Sequence, residues 1–204
     1  KMKGKNIAIE LLKKLLAERV TIYQKTNLVQ AEKFSDLLNR ALSNYLKGLL
    51  TNEEVIQELL KLAAEISESE NQGNELGLTA EEKSFYDALT KPRAVQDIYT
   101  NEQLVAMTKE LTDALRKNRT IDWQKKESAR AGMRRMIKRL LKKYKYPPEE
   151  AENALETVIH QCEQWSDNDS DEYSINESTQ KYNFQQSYYS IAADEIHEGY
   201  NKKL

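Results

Sequence analysis

Three times along this chain a threonine stands three residues ahead of a glutamate or glutamine, at the head of an apolar-periodic run: Thr51-Asn-Glu-Glu54, Thr79-Ala-Glu-Glu82 and Thr100-Asn-Glu-Gln103. At that spacing the hydroxyl accepts from the third backbone N–H while the acidic or amide side chain reaches back to the threonine N–H. Two donors that a helix start leaves free are thereby satisfied, so each box predicts a helix. The first leads through Val55, Leu59, Leu62 and Ile66, the second through Phe85, Tyr86 and Leu89 to a stop at Pro92, the third through Leu104, Met107, Leu111 and Leu115.

The stretches before the first box read the same way. Ile7, Leu11, Leu12, Leu15 and Leu16 recur at three- and four-residue spacing, as do Phe34, Leu37, Leu38, Leu42, Tyr45, Leu46 and Leu49. Six glycines and three prolines in 204 residues are too few for the turns of a β-sandwich or barrel. Leu, Glu, Lys and Ala are plentiful and Val is sparse, a helical composition. No strand pattern or internal repeat occurs. The expected fold class is all-α: an irregular helical bundle of about six to eight helices with an acidic C-terminal extension.

Composition shifts set the expected boundaries. The third helix is expected to dissolve in the polar run SESENQGNELG, which divides leading helices in 1–75 from a module in 76–165 that shares one core with them. A helix opening on Glu149 and Glu150 is expected to end near Trp165. From Ser166 to Leu204 the chain is linker-like and acidic, yet Tyr182, Gln186, Tyr189, Ala193, Ile196 and Tyr200 share one stripe and predict a last helix. The single Cys162 fits a reducing compartment, and no apolar run approaches the roughly 20 residues of a membrane span. The opening Lys-Met-Lys-Gly is unlike a native N-terminus, so a piece of a longer protein is expected.

Charge is laid out unevenly. Residues 116–146 carry a net +11, residues 147–204 a net −10 and the first 115 a net −3, in a chain whose formal total is −2. On a helical wheel at about 100° per residue, Trp123, Met133, Leu140, Leu141 and Tyr144 gather within about 60° of Ile137, while Lys125, Arg135, Lys138, Arg139, Lys142 and Lys143 spread over the opposite side. Such a row runs along roughly 27 Å of helix and can follow phosphates. The residues expected to meet a DNA backbone are Arg116, Lys117, Arg119, Lys125, Arg134, Arg135, Lys138, Arg139, Lys142 and Lys143. The bland alternative is a solvated face neutralised by the acidic tail. The want of carboxylates at i±4 favours a polyanion, because solvated helices alternate sign. Arg130 differs: it falls inside the apolar stripe, where a buried guanidinium needs carboxylate or carbonyl partners and acts as a structural anchor.

Catalytic chemistry is missing. His160 and His197 are the only histidines; His160 and Cys162, two apart on a helix, face different ways and have no second metal-binding pair. No phosphate loop and no Gly-x-Gly-x-x-Gly occurs. Glu81-Glu82-Lys83 matches half of a nuclease motif, but no Pro-Asp precedes it and it lies in a capping turn. Neither catalysis nor a bound cofactor is expected of this chain by itself.

From Leu76 onward the chain resembles a known family. The signs are Leu-Gly-Leu-Thr from Leu76 to Thr79, then Phe85-Tyr86-Asp87, Asp122-Trp123, Arg130, and a basic helix closing in Lys143-Tyr-Lys-Tyr-Pro-Pro148. This pattern, over about 90 residues, is similar to the C-terminal region of the motor (R) subunit of type I restriction–modification enzymes. Lys145 departs from it, standing where the family has glycine. A side chain there disfavours a left-handed helix end and predicts a different closure.

The resemblance implies a parent subunit that is an ATP-dependent DNA translocase and endonuclease, cytoplasmic, bacterial or archaeal. ATP and Mg would act in nuclease and RecA-like domains N-terminal to this region. Its C-terminal part would dock the motor on the methyltransferase (M) and specificity (S) subunits and help line a path for double-stranded DNA. Phe85, Tyr86, Asp87, Asp122, Trp123 and Arg130 are the candidate partner-binding or structural residues, with core packing the plainer reading for Phe85 and Trp123. A purely protein-binding scaffold, its basic helix against an acidic partner surface, is the competing reading.

Overall fold

The structure, a computed structural model, describes residues 2–120 and 123–170, with side chains over 6–120 and 123–165. Among the described residues there are eight helices and no strand: α1 (Met2–Thr26), α2 (Leu28–Leu46), α3 (Asn52–Glu75), α4 (Ala80–Thr90), α5 (Arg93–Ile98), α6 (Asn101–Asn118), α7 (Glu127–Lys143) and α8 (Pro148–Ser170). All three capping boxes form. Glu54, Glu82 and Gln103 accept the N–H of Thr51, Thr79 and Thr100 at 2.7, 2.8 and 3.0 Å, and each threonine hydroxyl accepts in return. Pro92, which ends α4, also opens the short α5.

Apolar side chains gather in two clusters. One, from α1–α3, surrounds Leu16, Phe34, Leu59 and Ile66; the other, from α4–α8, surrounds Leu89, Met107, Trp123, Ile137 and Leu155. The centre of the second is α4, whose residues from Lys83 to Thr90 are all buried.

Two expectations fail here. α3 does not dissolve in the polar run but continues to Glu75. Its last turns have partners: Glu70 lies 3.6 Å from Arg19 of α1, and buried Gly73 lies against the Lys83 stem. On α1 the core face is Ile9, Leu12, Leu16 and Val20, whereas Ile7 and Leu11 are 68% and 44% exposed. The helix is apolar on two sides, and spacing alone does not say which side meets the bundle. Leu46 and Leu49 are likewise exposed, beyond the last buried turn of α2. α8 passes Trp165 and runs on to Ser170; the stripe from Tyr182 to Tyr200 lies outside the described residues.

A third correction concerns helix closure. α2, α3 and α7 all end in Schellman turns, where a left-handed residue past the cap lets two N–H groups reach back to free carbonyls. Gly48 (φ 71°) and Gly77 (φ 60°) take that position after α2 and α3. After α7 it is Lys145, at φ 57°, whose N–H bonds Lys142 O at 3.1 Å while the Tyr146 N–H bonds Leu141 O at 2.9 Å. The left-handed turn is kept and the lysine carries the strain, because Tyr146 beyond it is buried and donates its hydroxyl to Leu89 O at 2.7 Å.

Two substitutions test these backbone readings by urea unfolding. Lys145→Gly should raise stability by about 0.5–1 kcal/mol, the side-chain penalty of the left-handed region less the entropy glycine adds to the unfolded chain. Gly73→Ala, whose new Cβ would meet Lys83 Cγ at an ordinary 3.5 Å, should also stabilise by about 0.5–1 kcal/mol if α3 is helical there. A loss at Gly73 would mean that the helix breaks in the polar run after all.

Candidate functional site

α7 is the helix that the charge pattern singles out, and its inner face follows the apolar spacing. Met133, Ile137, Leu140 and Leu141 are buried between α6 and α8, and Lys142 and Lys143 sit in the last turn, where cations suit the helix dipole. Its remaining cations fall into two rows.

The first row faces α8. Arg130 reaches Glu163 at 2.8 Å; Arg134 clasps Glu156 through both guanidinium nitrogens, one of them at 2.9 Å; Lys138 reaches Glu152 at 2.9 Å. Steps of four along α7 meet carboxylates running backward along α8, so the two antiparallel helices are laced at one edge. Hydrogen bonds from Arg134 hold the Glu156 carboxyl below its ordinary 4.5. On the other flank Lys143 donates to both Glu110 oxygens at 2.6 and 2.7 Å, and the Tyr144 hydroxyl joins at 2.8 Å, which lowers Glu110 as well.

The second row faces solvent. Arg135, Arg139 and Lys142 lie at i, i+4 and i+7, all exposed, with no ion pair among the described residues. Lys138 lies at its edge, where it and Glu152 are 56% and 64% exposed. This stripe occupies about 10 Å of helix.

The other predicted cations lie elsewhere. Arg116, near the end of α6, donates to Glu81 of α4 at 2.8 and 2.6 Å, and Arg119 stands 4.0 Å from the same carboxylate. Lys117 and Lys125 are exposed on α6 and on the turn before α7. The inference from missing i±4 carboxylates therefore needs correction: α4, α6 and α8 supply Glu81, Glu110, Glu152, Glu156 and Glu163 in space. The four-residue step from Glu152 to Glu156 was the available signal. Arg130 is corrected too. At 38% exposure it is not buried, since its long stem carries the head group out to Glu163.

The aromatic–acidic candidates lie inside the fold. Phe85 and Trp123 are core residues, and Tyr86 and Asp87 are buried beside them. Asp87 is the hub of a polar network that composition did not reveal: it accepts from Lys83 on its own helix, from Asn27 Nδ2 at 2.7 Å and from Gln30 Nε2 at 3.1 Å. Asp122 lies outside the described residues. Among the described residues no group of His, Cys, Asp and Glu is arranged to hold a metal ion, and burial pushes the Cys162 thiol up to about 12. No described helix is long and apolar enough to cross a membrane.

The lacing carries a pH signature. A carboxyl with a lowered folded pKa stabilises the fold above its unfolded value and loses that contribution as pH falls through the folded one. Glu156→Gln should therefore lower stability at pH 7 by under about 1 kcal/mol, since the pair is partly exposed. The gap between variant and parent should close as pH falls below the ordinary 4.5. Urea midpoints between pH 7 and 3 measure it, and a gap that stays constant would show that the pair does not act through ionised Glu156.

Comparison with known proteins gives the chain its family. Residues 1–168 match the family described as type I restriction enzyme HindI endonuclease subunit-like, C-terminal. The chain is 39% identical over 160 residues to the type I restriction enzyme HindI endonuclease subunit of Haemophilus influenzae, covering 78% of this chain and 15% of that protein. It is 30% identical over 144 residues to the putative type I restriction enzyme MjaIXP endonuclease subunit of Methanocaldococcus jannaschii, covering 70% of this chain and 14% of that one. No solved structure matches it significantly. The chain thus spans about a seventh of the length of these curated relatives, and it belongs to the family of C-terminal domains of HindI-like type I restriction endonuclease subunits.

Proposed function

We propose that this domain is a non-catalytic assembly and DNA-binding module of a type I restriction motor subunit. It would hold double-stranded DNA by its backbone, without regard to sequence, while the parent enzyme translocates and cleaves. The observation that carries the reading is the stripe of Arg135, Arg139 and Lys142, with Lys138 at its edge. Arg135, Arg139 and Lys142 are displayed to solvent with no ion pair among the described residues, while Lys138 shares its charge with Glu152, on a helix whose neighbouring carboxylates stand at its flanks. A row of Lys and Arg meeting phosphates reads no bases, which suits a subunit whose sequence recognition lies elsewhere. ATP and Mg would be used by other parts of the parent, because the phosphate-loop motif is absent from this sequence. The family membership supports a partner assembly of M and S subunits in the cytoplasm.

A specific observation also favours a second reading, a scaffold that docks on acidic protein. The cations of α7 already take carboxylates from α6 and α8, so the helix is suited to carboxylate as well as phosphate.

Binding of the chain to random duplex DNA between about 50 and 200 mM salt separates the two. Three to four phosphate contacts predict a log–log salt slope near −3, at about 0.9 per phosphate. Changing Arg135, Arg139 and Lys142 together to Glu should abolish binding, while Lys61→Glu on α3 should leave it unchanged. An absence of salt-sensitive binding in the parent chain would sink the DNA reading and leave the acidic protein partner.

A further inference from the structure

Among the described residues the chain passes from the α1–α3 cluster to the α4–α8 cluster at Leu76-Gly77-Leu78-Thr79. Gly77 in that link is left-handed, with nothing within 4 Å of where a Cβ would stand. Close to that link Gly73 of α3 packs on the Lys83 stem of α4, and farther from it the clusters join at the elbow between α1 and α2, which enters a socket on α4 and α8. Its contacts are polar. Asn27 and Gln30 donate to Asp87 at 2.7 and 3.1 Å; fully buried Gln161 accepts the Leu28 N–H at 2.8 Å and donates to Thr26 O at 3.1 Å.

The buried carboxylate of the socket would not be left alone if the elbow withdrew. Asp87 keeps Lys83, four residues away on the same helix, and the α7 pairs lie wholly within the second cluster. One ion pair that crosses the join, Lys91 to Glu32 at 2.6 Å, is exposed on both sides and would pass directly to water. Withdrawal would release amide hydrogen bonds that water can replace, together with the partly buried Val29. A cleft of about 700 Å³ already opens beside the socket, lined from both clusters by Gln30, Asp87, Gln96 and Asn101 among others.

We propose that this elbow and socket form an openable joint, about which α1–α3 swings as a unit on the Gly77 link while α4–α8 stays intact. Breaking a buried pair by removing one partner is strongly destabilising, whereas a polar join between units behaves like a transient interface. The inference stands independently of the DNA reading, since it concerns how the two clusters move and not what α7 binds.

Spin labels at Glu58→Cys on α3 and Lys109→Cys on α6, both exposed, would report the joint directly in the full chain. Cys162 is buried and its thiol stays protonated, so it remains unlabelled. Pulsed dipolar measurement should show a second, longer distance, and the combined Asn27→Ala and Gln161→Ala change should enlarge its share at least threefold. In parallel, the Leu28 amide should exchange with solvent about 100-fold faster than those of Leu59 and Ile159. A single distance in the parent chain overturns the proposal. So does fast exchange of Leu28 with a single distance, which is mere fraying of α2. Should the double variant fail to fold, the parent's distance distribution decides alone.

Discussion

A helix with a run of eight buried residues leaves its polar side chains little water, and α4 from Lys83 to Thr90 is such a run. Lys83, Ser84, Asp87 and Thr90 are all within the fold, so each must find its partner there. Thr90 bonds Tyr86 O at 2.8 Å, and Ser84 donates to Glu81 O at 2.7 Å while accepting the Trp165 indole at 3.0 Å. Lys83 and Asp87 neutralise one another, and Asp87 has capacity left for Asn27 and Gln30. These demands fix where neighbours can go. The cap of α2 must lie over Asp87, and the end of α8 must bring Trp165 to Ser84. Leu89 and Phe85 can pack as core only because the polar half of α4 is satisfied.

α8 also shapes the charge of the domain. One side of α8 supplies Gln161 to the elbow, and Glu152, Glu156 and Glu163 line its edge with α7. Pairs of this exposure contribute little stability singly, typically less than about 1 kcal/mol. Their larger effect is on the field. Arg130, Arg134 and Lys138 are balanced where they stand, as are Arg116 and Lys143 by Glu81 and Glu110. On α7 itself, Arg135, Arg139 and Lys142 form an outward stripe with no ion pair among the described residues. Within a segment of net +11, one face of α7 thus carries positive charge alone while its flanks carry mixed charge.

Local chemistry was legible in the sequence, and tertiary pairing was not. The capping boxes gave three helix starts because hydroxyl, carboxylate and N–H lie within four residues of one another. The buried side of α7 followed from periodicity, down to Met133, Ile137 and Leu141. By contrast α1 has two apolar stripes, and the choice of Ile9 over Ile7 belongs to α2 and α3, which no wheel contains. The run from Ser67 to Glu75 reads as a break, since its residues favour turns. It is helical because Glu70 and Gly73 meet Arg19 and Lys83. The candidate site divides likewise. Its exposed stripe could be read from angles alone, but the carboxylates opposite Arg130 and Arg134 lie 33 and 22 residues away, beyond any local rule.

Lys145 shows how far such tertiary demands can override local preference. A lysine in the left-handed region costs roughly 1–2 kcal/mol, and no side-chain bond at that residue offsets it. The compensation lies on both sides of it. Tyr99 donates to Tyr144 O at 2.9 Å, the Tyr144 hydroxyl reaches Glu110, and the Tyr146 hydroxyl closes on Leu89 O inside the core. At about 1 kcal/mol each, three such bonds exceed the strain, so the turn holds with a lysine in the left-handed position. Lys145 is also an exposed cation just past the end of the outward stripe.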